Sequence, residues 1–80
     1  MQTPYFLILD CGATSLRAVA ISEEGKILSI ASFANSPRPQ KENPQFLIWD
    51  IEEMWDVFCK AIRKVIGEVG KEVRAVAVTT

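Results

Sequence analysis

Tyr5-Phe6-Leu7-Ile8-Leu9 is an uninterrupted apolar run that ends on a carboxylate, Asp10. A run of this kind suits a strand buried on both faces near the middle of a sheet. An acid placed directly after it is costly unless it is paired or holds a cation. The opening residues therefore predict a central strand whose carboxyl end carries chemistry. Cys11-Gly12-Ala13-Thr14 is short, small and contains glycine, and Ser15 to Ser22 resumes strand-type residues. The two runs should fold back as an antiparallel hairpin. Glu23-Glu24-Gly25 makes a second tight turn, with Gly25 suited to positive φ, into a third strand from Lys26 to Phe33. Three strands form a meander.

From Ala34 to Ile48 the pattern breaks. Pro37, Pro39 and Pro44 remove backbone donors, and Asn35, Ser36 and Asn43 favour turns, so a long surface connection is expected. Asp50 then reads as an N-cap, with Glu53 completing a capping box and Trp49 placed to pack on Met54 as a staple. Ile51, Trp55, Phe58, Ile62, Val65 and Val69 recur at steps of four and three, an apolar stripe expected to lie on the sheet. Glu52, Glu53 and Asp56 near the start, and Lys60, Arg63 and Lys64 further on, match the helix macrodipole. Gly70 supplies the stop, giving a helix over about 51–69.

Val73 to Val78 reads as a fourth strand. A helix between strands makes it parallel to an earlier one, and the first strand is the expected neighbour. The fold class is thus α/β: strands at about 4–10, 15–22, 26–33 and 73–79, one crossover helix, and a mixed sheet in the order 3-2-1-4. One helix cannot cover both faces of such a sheet, and the fourth strand's outer edge is left unpaired. The 80 residues therefore read as a fragment of a larger domain.

Composition closes off several functions. Nine Lys and Arg against ten Asp and Glu, spread without blocks, give a net charge of -1 and no electrostatic footprint for nucleic acid or an anionic membrane. No apolar stretch approaches the roughly 18 residues of a spanning helix, and no basic n-region precedes a hydrophobic one. Cys11 and Cys59 are the only cysteines and histidine is absent, which speaks against a disulfide framework or a zinc site. These features read as a cytoplasmic chain with reduced thiols.

Chemistry concentrates in Leu9 to Arg17, where a carboxylate, a glycine turn, two hydroxyls and a guanidinium share one hairpin. A carboxylate at a strand end can hold Mg²⁺, which bridges phosphate oxygens. Gly12 and Ala13 let backbone N–H groups approach an anion. Thr14 and Ser15 add hydroxyl donors, and Arg17 offers a charged fork to a phosphoryl group. The bland alternative is a tight turn with a solvated acid at its edge. Neither a Walker P-loop nor a dinucleotide G-x-G-x-x-G occurs.

Leu9-Asp10-Cys11-Gly12-Ala13-Thr14-Ser15-Leu16-Arg17-Ala18-Val19-Ala20 resembles the first phosphate-binding hairpin of the FGGY family of carbohydrate kinases. The likeness extends through Gly25-Lys26-Ile27, Trp49-Asp50 and Ala75 to Thr80, although only the hairpin is specific. It implies a partial amino-terminal kinase domain over 1–80, of the ribonuclease H-like fold shared with actin- and hexokinase-type ATPases. It also implies ATP with Mg²⁺ and a small sugar or ketose as substrate. Asp10 would then help place the metal, Gly12, Ala13, Thr14 and Ser15 would line the phosphate path, and Arg17 would contact the phosphates. Ala13 stands where many members carry threonine, so only a backbone contact is implied there. The catalytic base and the sugar-contacting residues would lie beyond these 80 residues, leaving this chain inactive alone.

Two other classes compete with that reading. An actin/FtsA-like assembly protein would bind ATP through the same hairpin, and a non-catalytic α/β module would pair its exposed edge strand with a partner. A homo-oligomer stays open. Trp49 and Trp55 suit the faces of a sugar ring, but their helix positions favour staple and core roles. Lys60, Arg63 and Lys64 read as a solvated helix face.

Overall fold

The structure, a computed structural model, describes residues 3–80. Strand β1 (Tyr5–Cys11), β2 (Ser15–Ser22) and β3 (Ile27–Ala34) form an antiparallel meander. Two short strands, β4 (Arg38–Pro39) and β5 (Leu47–Ile48), follow, then helix α1 (Ile51–Val69) and strand β6 (Val73–Thr79). The main sheet is mixed and runs β3-β2-β1-β6, with β6 parallel to β1.

Alternation along the strands sets the two faces of this sheet apart. Tyr5, Leu7 and Leu9 of β1, Leu16, Ala18 and Ala20 of β2, and Ala31 of β3 are buried. Onto that face α1 packs, chiefly against β2 and β3, with Ala61 and Val65 buried and Phe58, Ile62 and Val69 half-buried at its edges. Alanines on both sides of the contact let the helix backbone approach the sheet closely. No helix of the described residues lies on the other face. Phe6 remains 38% exposed and Ile8 half-buried, so β1 is covered on one face rather than the two its apolar run suggested.

Both ends of α1 are fixed by their residues. The Asp50 carboxylate accepts from the Glu53 backbone N–H at 3.0 Å, capping the amino end. Among the described residues the return half of the expected capping box is missing, because the Glu53 carboxylate is taken by two guanidinium nitrogens, Nε and Nη2, of Arg38 on β4. At the other end Gly70 adopts φ 94° and its N–H donates to the Ile66 carbonyl at 2.8 Å. Tyr5, wholly buried, locks that end to β1: its hydroxyl donates to the Gly70 carbonyl at 2.7 Å and its backbone N–H to Glu72 at 3.0 Å.

The helical stripe needs one correction. Ile51 and Trp55 lie on it by spacing, yet they are 70% and 60% exposed, and Trp55 has no core role. Of the stripe, only the residues from Phe58 onward pack on the sheet's core, whereas the first turn is tied to β4 through Arg38 and Glu53. The β4–β5 ribbon is the second correction. Within the stretch read as a structureless connection, Arg38 pairs with Ile48 and Pro39 with Leu47. Pro39 has no N–H to donate, but the ribbon continues one position beyond it, where Gln40 N–H donates to the Phe46 carbonyl at 2.8 Å. Gly25 takes φ 88° in the β2–β3 turn, as a two-strand reversal at that spacing requires.

Candidate functional site

The carboxyl ends of β1 and β6 lie side by side, and β2 departs from the same edge through the Gly12–Thr14 turn. Register then fixes which side chains meet. Asp10 is the cross-strand partner of Arg17 on β2 and of Thr79 on β6, and Arg17 in turn faces Ser32 on β3. Cross-strand partners share a face of the sheet. Thr79, Asp10, Arg17 and Ser32 therefore form one polar row across four strands, on the face that α1 leaves open.

Within that row the Thr79 hydroxyl donates to Asp10 Oδ1 at 2.9 Å. Asp10 and Arg17 stand opposite each other but form no ion pair among the described residues. Arg17 Nε instead donates to the Ser15 hydroxyl at a long 3.4 Å, and its side chain is exposed. An acid and a guanidinium thus share one rim without neutralising each other. Ser15 lies on the same face, two residues before Arg17, and Ala13 and Thr14 are exposed at the tip of the turn.

The turn itself is held by three hydrogen bonds. Gly12 N–H donates to the Ser15 carbonyl at 2.9 Å, and a Cβ built on Gly12 would stand 2.9 Å from that same oxygen. No side chain fits there, so glycine is required by the contact and not by its φ, which is not positive. Among the described residues no return bond runs from Ser15 N–H to the Gly12 carbonyl. That carbonyl accepts instead from Asn35 Nδ2 at 2.9 Å, and Asn35 N–H donates to the Thr14 carbonyl at 2.9 Å. Sequence reading found Asn35 only as a turn former; its position two residues past Phe33, which pairs with Leu16, is the signal that could have placed it beside the turn. Thr79 was likewise missed, read only as the end of a strand.

Behind the turn, on the α1 side, a largely apolar hollow of about 310 Å³ is bounded by Cys11, Gly12, Trp49, Met54 and Thr80. Trp49 lines it and is 44% exposed. Cys11 and Cys59 are both unpaired thiols. No cluster of three or more metal-ligating side chains occurs among the described residues. A lone half-exposed carboxylate at a strand end nevertheless suits Mg²⁺, which is commonly held by one or two carboxylates plus substrate phosphates instead of an all-protein cage. No helix of the described residues is long and apolar enough to cross a membrane.

Residues 5–80 match the model of the amino-terminal domain of the FGGY family of carbohydrate kinases. The chain is 36% identical over 80 residues to L-fuculokinase of Haemophilus influenzae, with 92% of the chain covered. It is 35% identical over 81 residues to L-fuculokinase of Escherichia coli K12, with the whole chain covered. A probable L-xylulose kinase of Haemophilus influenzae is 28% identical over 94% of the chain. The chain spans 17% of the length of both L-fuculokinases and 16% of that of the L-xylulose kinase.

Proposed function

This chain belongs to the FGGY family of carbohydrate kinases, and we propose that it supplies the first phosphate-binding hairpin of an enzyme that transfers the γ-phosphoryl group of ATP to a hydroxyl of a small sugar or ketose. The observation that carries the reading is the Thr79–Asp10–Arg17 row beside the Gly12 turn, an acid and a guanidinium on one face at the carboxyl ends of two parallel strands. Ligands of open α/β sheets gather at such ends. The family's ribonuclease H-like fold, with the sheet order described above, belongs to the same proposal.

Phosphoryl transfer asks a protein mainly for positioning and charge stabilisation. Asp10 would hold the magnesium ion, whose chemistry there is to neutralise charge on the phosphate oxygens. Thr79 fixes the Asp10 carboxylate through Oδ1 and so limits its rotation. The backbone N–H groups of Ala13, Thr14 and Ser15, with the Thr14 and Ser15 hydroxyls, would line the phosphates, and Gly12 gives them room. Arg17 adds a positive charge from the neighbouring strand. The base that activates the sugar hydroxyl is not among these side chains and would come from outside the 80 residues.

The named relatives point to an L-fuculose-like ketose as the acceptor, and their being kinases favours this reading over an assembly protein or a bare interaction module. A cytoplasmic setting belongs to the same proposal, favoured by the two thiols left unpaired. The test is turnover of Mg-ATP by the full-length protein against a sugar panel. Asp10→Ala should lose most of that rate while its circular dichroism stays that of the parent. Undiminished turnover in the variant would overturn the role of Asp10.

A further inference from the structure

We infer that Asn35 is a positioning residue for the phosphate-binding turn, holding its carbonyls back so that its amides stay open to an anion. The inference rests on the kinase reading and deepens it. In a closed two-residue hairpin the residues flanking the loop exchange two backbone bonds. Here Gly12 and Ser15 make one of the two, Gly12 N–H to the Ser15 carbonyl, and the other is absent among the described residues. The vacated partner of the Gly12 carbonyl is the Asn35 side-chain amide at 2.9 Å. The Thr14 carbonyl is likewise held, by the Asn35 backbone N–H at 2.9 Å.

One residue at the end of β3 thus takes two carbonyls of the turn, one with its side chain and one with its main chain. A carbonyl facing a phosphate repels it, whereas a free N–H attracts it. With the carbonyls of Gly12 and Thr14 turned toward Asn35, Ala13 and Thr14 are left with no backbone acceptor for their N–H groups among the described residues, and neither is Ser15 N–H spent on closing the turn. Successive backbone donors without partners form an anion-binding concavity. Asn35 touches no reacting atom in this scheme; it acts through the shape of the turn.

The geometry also dictates how the variants should differ. Asn35→Asp keeps the size of the side chain but sets a carboxylate against the Gly12 carbonyl, replacing attraction with repulsion. Asn35→Ala only deletes the side-chain bond. Both retain the backbone N–H bond to Thr14, which does not depend on the side chain.

The experiment is steady-state kinetics of the full-length protein, varying Mg-ATP and sugar separately, with thermal melting of each variant. Loss of one neutral hydrogen bond corresponds to about a three- to tenfold change. Asn35→Ala should raise KM for Mg-ATP by that amount, Asn35→Asp by more, with kcat within about twofold and KM for the sugar unchanged. Direct titration of Mg-ADP onto the folded variants should show the same loss. An unaltered KM for Mg-ATP in both variants overturns the inference, as does a fall in kcat and melting temperature without a change in nucleotide affinity, the signature of a merely structural role. Wild-type protein that binds no Mg-ATP at all would overturn the kinase reading itself, and this inference with it.

Discussion

Gly12→Ala isolates the contact that shapes the turn. The added Cβ would stand 2.9 Å from the Ser15 carbonyl oxygen, about half an ångström inside ordinary van der Waals range. That oxygen is also the acceptor of the Gly12 N–H bond at 2.9 Å. Relieving the clash therefore stretches the bond to about 3.4 Å, beyond the useful range of roughly 2.7–3.2 Å. Overpacking of this kind costs about 1–3 kcal/mol, and the weakened bond adds about 1 kcal/mol. Alanine restricts the unfolded chain and returns about 0.4–1 kcal/mol, since the φ of Gly12 is one alanine can adopt. The net expectation is a loss of roughly 1–3 kcal/mol, read as a lower urea midpoint at unchanged slope in the full-length protein, together with a raised KM for Mg-ATP. Gly25→Ala is the control. Its φ of 88° is the obstacle and nothing lies within 4 Å of the new Cβ, so it should cost about 1–2 kcal/mol with nucleotide kinetics unaltered. If Gly12→Ala matches the parent in both midpoint and KM, the contact is not what dictates glycine there.

Tyr5→Phe keeps the buried ring but deletes the hydroxyl bond to Gly70, and should cost about 0.5–1.5 kcal/mol; a melting temperature equal to the parent's refutes that. Burial also raises the Tyr5 pKa above its ordinary value. The folded state thus holds the phenolic proton more tightly than the unfolded one, so this contribution is complete below pH 10 and drains away as pH climbs through the raised value. Tyr5→Phe should flatten the alkaline limb of a stability–pH profile, and an unchanged limb would assign it to other groups. The Glu53 carboxyl lies below its usual range because Arg38 hydrogen-bonds to it. Its contribution is present above the ordinary carboxylate pKa and is lost as pH falls through the lowered one; being exposed, the pair should shift stability little. Arg38→Ala should return the Glu53 carboxyl to its ordinary titration by NMR, and a curve that stays depressed would implicate another cause.

Local chemistry in the sequence carried the α/β character, the glycine turn at Gly25, the Asp50 cap and the Gly70 stop, because each depends on residues adjacent in the chain. What escaped depends on residues far apart. The spacing of Ile51 and Trp55 gives their azimuth on the helix but not where the sheet ends beneath it, and so could not foresee their exposure. Glu53 looked like half of a capping box until Arg38 approached from a ribbon that prolines disguised. At the site, Asp10 and Arg17 were adjacent through a hairpin that the sequence made plain, whereas Asn35 arrives just past the end of β3 and Thr79 on β6, and only strand registration brings them in.

One irregularity in that registration reaches further than its location suggests. Between Tyr5 and Phe6 the pairing of β1 with β6 skips a residue, so that Tyr5 meets Val73 but Phe6 meets Ala75. Had the ladder run without the skip, Asp10 would sit beside Val78, and two methyl groups would replace the hydroxyl that steadies its carboxylate. A kink at the mouth of the strand thus selects the neighbour of the acid five rungs away, and a single insertion or deletion just ahead of Ala75 would rewrite the site without touching any residue in it.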